Sequence, residues 1–80
     1  MALFYLHHRH DPAECTAAFA AWRGFDSPLR HRPVAGTCLT GGHCLLWLIE
    51  AGDGEEAAAN LPAFVAARTE VIEVREIDVP

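Results

Sequence analysis

The segment Cys44-Leu45-Leu46-Trp47-Leu48-Ile49 is apolar at every position. Extended, it turns Leu45, Trp47 and Ile49 to one side and Leu46 and Leu48 to the other. Both sides then need cover, so this strand belongs in the middle of a sheet rather than at its edge. The run is about a third of a membrane span. In a chain of 80 residues, which can enclose only one small core, every other element has to be arranged around this strand.

The neighbouring elements can be read from local signals. Residues 2–10 alternate as a strand, with Leu3, Tyr5, His7 and Arg9 on one side and Phe4, Leu6, His8 and His10 on the other. Asp11-Pro12-Ala13-Glu14 joins an N-cap, a proline at the first helical position and a glutamate that reaches back to the cap. Cys15, Ala18, Phe19 and Trp22 then follow at the spacing of a helix face, which predicts a helix over 12–24 ending at Gly24. Asp26 to Pro33 is a polar loop. Strands over 34–40 and 43–50 flank Gly41-Gly42, a dipeptide suited to a tight hairpin turn. Asp53 caps a second helix over 54–68, in which Pro62 either makes a kink or opens a shorter helix capped by Asn60. A final strand is expected over 71–78, where β-branched residues are interleaved with Glu and Arg.

The order β-α-β-β-α-β specifies a ferredoxin-like α+β domain spanning residues 1–80, a four-stranded antiparallel sheet of order 4-1-3-2 with both helices on one face. Two helices on one side leave the other side of an apolar central strand bare. A second copy laid sheet face to sheet face is the simplest cover, so a homodimer is expected, with Trp47 and Leu45 among its contacts.

In this order, a strand like Ala2-Leu3-Phe4-Tyr5-Leu6, a central strand like Cys44-Leu45-Leu46-Trp47-Leu48-Ile49-Glu50 and a terminal Val71-Ile72-Glu73-Val74 resemble the dimeric α+β barrel superfamily, in particular its short bacterial members of unknown function. The resemblance spans nearly the whole chain and rests on pattern rather than on a signature motif. It implies paired sheets around a central cavity. Such relatives include cofactor-free monooxygenases, isomerases, haem-degrading enzymes and plain ligand binders, and none of their catalytic motifs maps onto these residues.

Composition narrows the function classes. The formal charge is −5, and all six basic residues are arginines scattered along the chain, so no clustered positive face for nucleic acid is expected. No membrane segment is expected either. An odd count of three cysteines reads as reduced thiols in a cytoplasmic protein.

Two groups of residues can carry chemistry. If Phe4, Leu6, Leu46, Leu48, Ile72 and Val74 meet the helices, then Tyr5, His7, Arg9, His43, Trp47, Glu73 and Arg75 line the open face. There His7 or His43 would serve as a base, Arg9 or Arg75 as an anion anchor and Tyr5 as a donor, with His43 or Arg75 beside His7. The same list suits a dimer interface anchored by Trp47 and Tyr5. The second group is the histidine-rich end of the first strand. His8 and His10 share a face, and with Cys44 or Cys38 they are the residues a soft metal would use, although no metal-binding signature is present. Cys15 reads as a small core residue. The reading is a homodimeric binding or interaction module with room for a small molecule between the sheets and no cofactor. The alternatives are a cofactor-free enzyme acting on a small aromatic or polyketide-like compound, and a His/Cys metal-binding protein.

Overall fold

The computed structural model describes all 80 residues, Met1–Pro80. Strand β1 (Ala2–Arg9) leads through a 3-10 turn (Pro12–Glu14) into helix α1 (Cys15–Ala20). A long loop then reaches the short strand β2 (Ala35–Gly36), which is followed by β3 (Cys44–Ala51), α2 (Gly54–Ala58), α3 (Ala63–Ala66) and β4 (Thr69–Val74). The sheet is antiparallel throughout, in the order β2-β3-β1-β4. This is the order expected from the sequence, read from the other edge.

The helices are shorter than their signals suggest. At the first, the Asp11 backbone N–H donates to Glu14 Oε1 at 3.0 Å and the Glu14 N–H donates to the Asp11 carbonyl at 2.8 Å, a reciprocal clasp that starts the turn. Regular helix stops at Ala20, ahead of Gly24 with φ at +72°. The second expected helix is two. Asn60 does not cap α3; its side-chain amide donates to the carbonyls of Glu56 and Ala57 and so closes α2, while Pro62 occupies the position before α3. A proline that lacks an N–H and clashes with the preceding turn makes this break the cheaper solution. Between β2 and β3 there is no two-residue hairpin. A 3-10 turn (Cys38–Thr40) intervenes, Gly41 takes a left-handed φ of +90°, and His43 is held at φ +54°.

The core lies between the sheet and the helices, where Phe4, Leu6, Ala51, Ala57, Leu61 and Val65 form one buried cluster. Residues paired across antiparallel strands share a face. Leu6 pairs with Trp47 and Val71, and His8 pairs with Leu45 and Thr69. The helix side therefore receives Leu45, Trp47, Ile49 and Val71, while Leu46, Leu48, Ile72 and Val74 face away. This reverses the register expected for β3 and β4. Where both faces of a strand are apolar, alternation carries no signal to choose between them. No helix is long and apolar enough to cross a membrane.

Candidate functional site: a buried histidine relay and an open sheet face

Alternation along β1 sends His8 to the helix side with Phe4 and Leu6, and His10 follows just beyond the strand. Both rings are buried, with relative exposures of 0% and 4%. Imidazoles taken out of water need partners, and a continuous chain of contacts provides them. The Thr69 hydroxyl donates to the Val65 carbonyl at 2.6 Å. His8 Nδ1 lies 3.3 Å from that carbonyl and 3.2 Å from Thr69 Oγ1. On the far side of the ring, His8 Nε2 meets His10 Nδ1 at 2.9 Å. His10 Nε2 then lies 3.2 Å from Cys15 Sγ, which is itself 2.9 Å from His43 Nδ1.

The proton positions in this chain follow from its fixed end. A carbonyl oxygen can only accept, so His8 Nδ1 carries the hydrogen. Burial holds the His8 pKa below its ordinary value, which keeps the ring neutral and leaves Nε2 as an acceptor. His10 Nδ1 must then be the donor. His10 Nε2 is then the ring nitrogen that faces Cys15, and Cys15 Sγ lies between two ring nitrogens, those of His10 and His43.

Four segments build this arrangement: the end of β1 and the residue just beyond it supply His8 and His10, the first residue of α1 supplies Cys15, the turn before β3 supplies His43, and the start of β4 supplies Thr69. His43 reaches in because its left-handed backbone breaks the strand alternation, and its carbonyl accepts from the His10 N–H at 3.1 Å. The ligand-capable atoms of His10, Cys15 and His43 all lie within 4.8 Å of one another. Cys15 also borders a groove of about 370 Å³ along α1, shared with Phe19 and Arg23.

The opposite face carries a second, more open group. Arg9 pairs with Cys44, and His7 lies one pleat along on the same side. His7 and Arg9 together pull the Cys44 thiol below its ordinary pKa, with His7 the larger influence. Burial pushes Cys38 the other way. Tyr5 continues this face, its ring 6.2 Å from that of His7.

The expected constellation is only partly assembled. Tyr5, His7 and Arg9 share the helix-free face, but His43 does not join them, since its ring packs against His10 on the helix side with centroids 5.6 Å apart. Arg75 follows Val74, which pairs with Leu3; His7 pairs with Glu70, so strand rise alone separates His7 from Arg75 by about 17 Å. Arg75 and Glu73 instead border a cavity of about 760 Å³ at the other end of the sheet, with Met1, Ala2 and Glu50. Trp47 is turned to the helix side, against Trp22, and Leu45 is buried there within the single chain at 5% exposure. Neither is free for the contact expected of it. In the alternative metal set, Cys44 lies on the wrong face for His8 and His10. Cys15, read as core, takes its place beside His10. The signal available for this was the five-residue step from His10 to Cys15 across a tight Asp-Pro turn, which brings a strand end and a helix start together.

Comparison with protein-family models, with curated proteins and with solved structures finds no match.

Proposed function

We propose that the chain is a ferredoxin-like binding domain that works in pairs, two copies meeting through the helix-free faces of their sheets and holding a small anionic molecule at the rim. One observation carries this reading. Leu48, at the centre of the sheet on a strand whose other face is packed, is 60% exposed.

It does not stand alone. Tyr5 pairs with Leu48 and Ile72, and Leu3 with Val74, so an apolar patch runs across three strands, with Ile72 36% exposed. Patches of this kind mark contact surfaces. Arg9 and His7, with Glu70 beside His7, lie at one end of the patch, and Glu50, paired with Leu3, lies at the other. A two-fold axis running across the strands would set Arg9 of each copy above Glu50 of its mate, whereas an axis along the strands would set Arg9 against Arg9. Complementarity selects the first. In that pair, the Arg9 guanidinium keeps N–H donors beyond those that meet Glu50, and with His7 beside it offers them at the rim to a carboxylate or similar anion, while Tyr5 and Leu48 supply the apolar wall.

Light scattering coupled to gel filtration tests the pairing. The expected mass is twice 8.7 kDa, and Leu48→Glu should give a folded monomer because it would bury an unpaired charge at the centre of the contact. A wild-type chain that stays monomeric at tens of micromolar would overturn the proposal.

A further inference from the structure

We infer that His10, Cys15 and His43 form a binding site for a zinc-class transition-metal cation, with His8 holding His10 in the ligating orientation. This stands on the helix side of the sheet and is independent of the pairing through the opposite face.

The donor set is the first argument. Two imidazole nitrogens and one thiol sulfur are the ligand types that Zn²⁺ selects over Mg²⁺ or Ca²⁺, and the three atoms lie within 4.8 Å. With Zn–S near 2.3 Å and Zn–N near 2.05 Å, tetrahedral ligands are about 3.3–3.6 Å apart. The two sulfur–nitrogen separations, 3.2 and 2.9 Å, would therefore open by only about 0.3–0.7 Å.

The second argument is the convergence of donors. Cys15 Sγ sits between two ring nitrogens, 3.2 Å from His10 Nε2 and 2.9 Å from His43 Nδ1, and a thiol has a single hydrogen to donate. A cation that replaces the proton engages all three. The balance is simple: the Cys15 S–H bond breaks, the proton leaves to solvent, and sulfur and both nitrogens donate their pairs to the ion.

The third argument is what lies behind the site. Metal-bound histidines characteristically donate their other ring N–H to a fixed acceptor. His10 Nδ1 lies 2.9 Å from His8 Nε2, and His8 is in turn fixed through Nδ1 to the Val65 carbonyl and Thr69. With Nδ1 engaged there, Nε2 is the His10 nitrogen that faces Cys15 Sγ, the one ligation requires. Only three protein donors converge, and Cys15 borders the groove along α1, so the fourth position falls to water or another small ligand, as in zinc sites that keep an exchangeable position.

Cobalt titration of the untagged, reduced chain tests the inference, because Co²⁺ reports thiolate ligation by a near-ultraviolet charge-transfer band and tetrahedral geometry by visible bands. The expected result is saturation at one Co²⁺ per chain, with both sets of bands bleached by Zn²⁺. Cys15→Ser should abolish the charge-transfer band and weaken binding at least about 100-fold, and His43→Ala should weaken it about 10- to 100-fold. Both positions are only half-buried, and circular dichroism checks that the variants fold. Cys38→Ser and Cys44→Ser should leave the spectrum unchanged. No stoichiometric band, a band that survives Cys15→Ser in a folded chain, or one lost with Cys44→Ser would each overturn the site.

Discussion

The indoles of Trp22 and Trp47 meet with ring centroids 5.9 Å apart and planes inclined at 49°. This contact joins the turn after α1 to the middle of β3, and Leu29 of the long loop packs into the same region. Trp47 is thus an internal anchor, and Leu48, one residue on, is its surface counterpart.

Trp47→Ala should destabilise the fold by about 3 kcal/mol, the loss of a large aromatic contact with partial collapse of the gap. Leu48→Ala, at a position open to solvent in the single chain, should cost less than about 0.5 kcal/mol in the monomer. Urea unfolding followed by tryptophan fluorescence compares the two. Equal losses would mean that β3 is one residue out of the register described.

Replacing His8 separates its hydrogen-bonding role from its volume. His8→Leu leaves the Val65 carbonyl with Thr69 alone and strands the His10 N–H, an unsatisfied buried donor that costs about 1–3 kcal/mol. His8→Gln should recover part of that loss, because its amide offers one acceptor and one donor. Thermal unfolding of the metal-free variants gives the ranking expected, wild type above Gln above Leu. A Leu variant as stable as wild type would show that the relay contributes nothing to the fold.

Arg68 ties the start of β4 to the turn before α1, with its Nη2 2.8 Å and its Nε 2.9 Å from Glu14 Oε2. Its guanidinium also stacks on Phe64 at 3.6 Å. The Arg68 side chain is the main influence holding the Glu14 carboxyl below its ordinary value of 4.5. A carboxylate with a depressed folded pKa contributes stability that is complete above its unfolded value and is lost as pH falls through the folded one. The stability of wild type should therefore fall more steeply than that of Glu14→Gln below about pH 4.5, as read from urea midpoints across pH 3–6. Parallel profiles would remove this ion pair from the account.

Cys44 and Cys38 should differ in reactivity. The first is drawn down by His7 and Arg9, and the second is pushed up by burial. Because the thiolate is the reacting species, iodoacetamide at neutral pH should label Cys44 several-fold faster than Cys38, and His7→Ala should narrow the gap. Mass mapping of a time course reads both rates, and faster labelling at Cys38 would contradict the placement of Cys44 beside His7.

The order of elements and the capped starts at Asp11 and Asp53 are visible in the sequence because they depend on neighbours a few residues apart. For the same reason, so is the split of β1 into a Phe4/Leu6 face and a Tyr5/His7 face: purely apolar and amphipathic side chains alternate there. The reach of the helices was less legible. Gly24, Pro62 and Asn60 mark their ends, but how far regular structure runs towards each depends on what the last turn can pack against.

The order of strands, the central place of Cys44–Ile49 and the histidine-rich end of β1 are thus properties of the sequence by itself. Tertiary structure decided which face of β3 turns inward, since a strand apolar on both sides has no preference until Trp47 finds Trp22 and Leu6. It also decided the partners of His10. The left-handed backbone at His43 and the short Asp-Pro turn before Cys15 bring together residues 28 positions apart in the chain, and only the packing of α1 against the sheet determines that two imidazoles and a thiol share one corner.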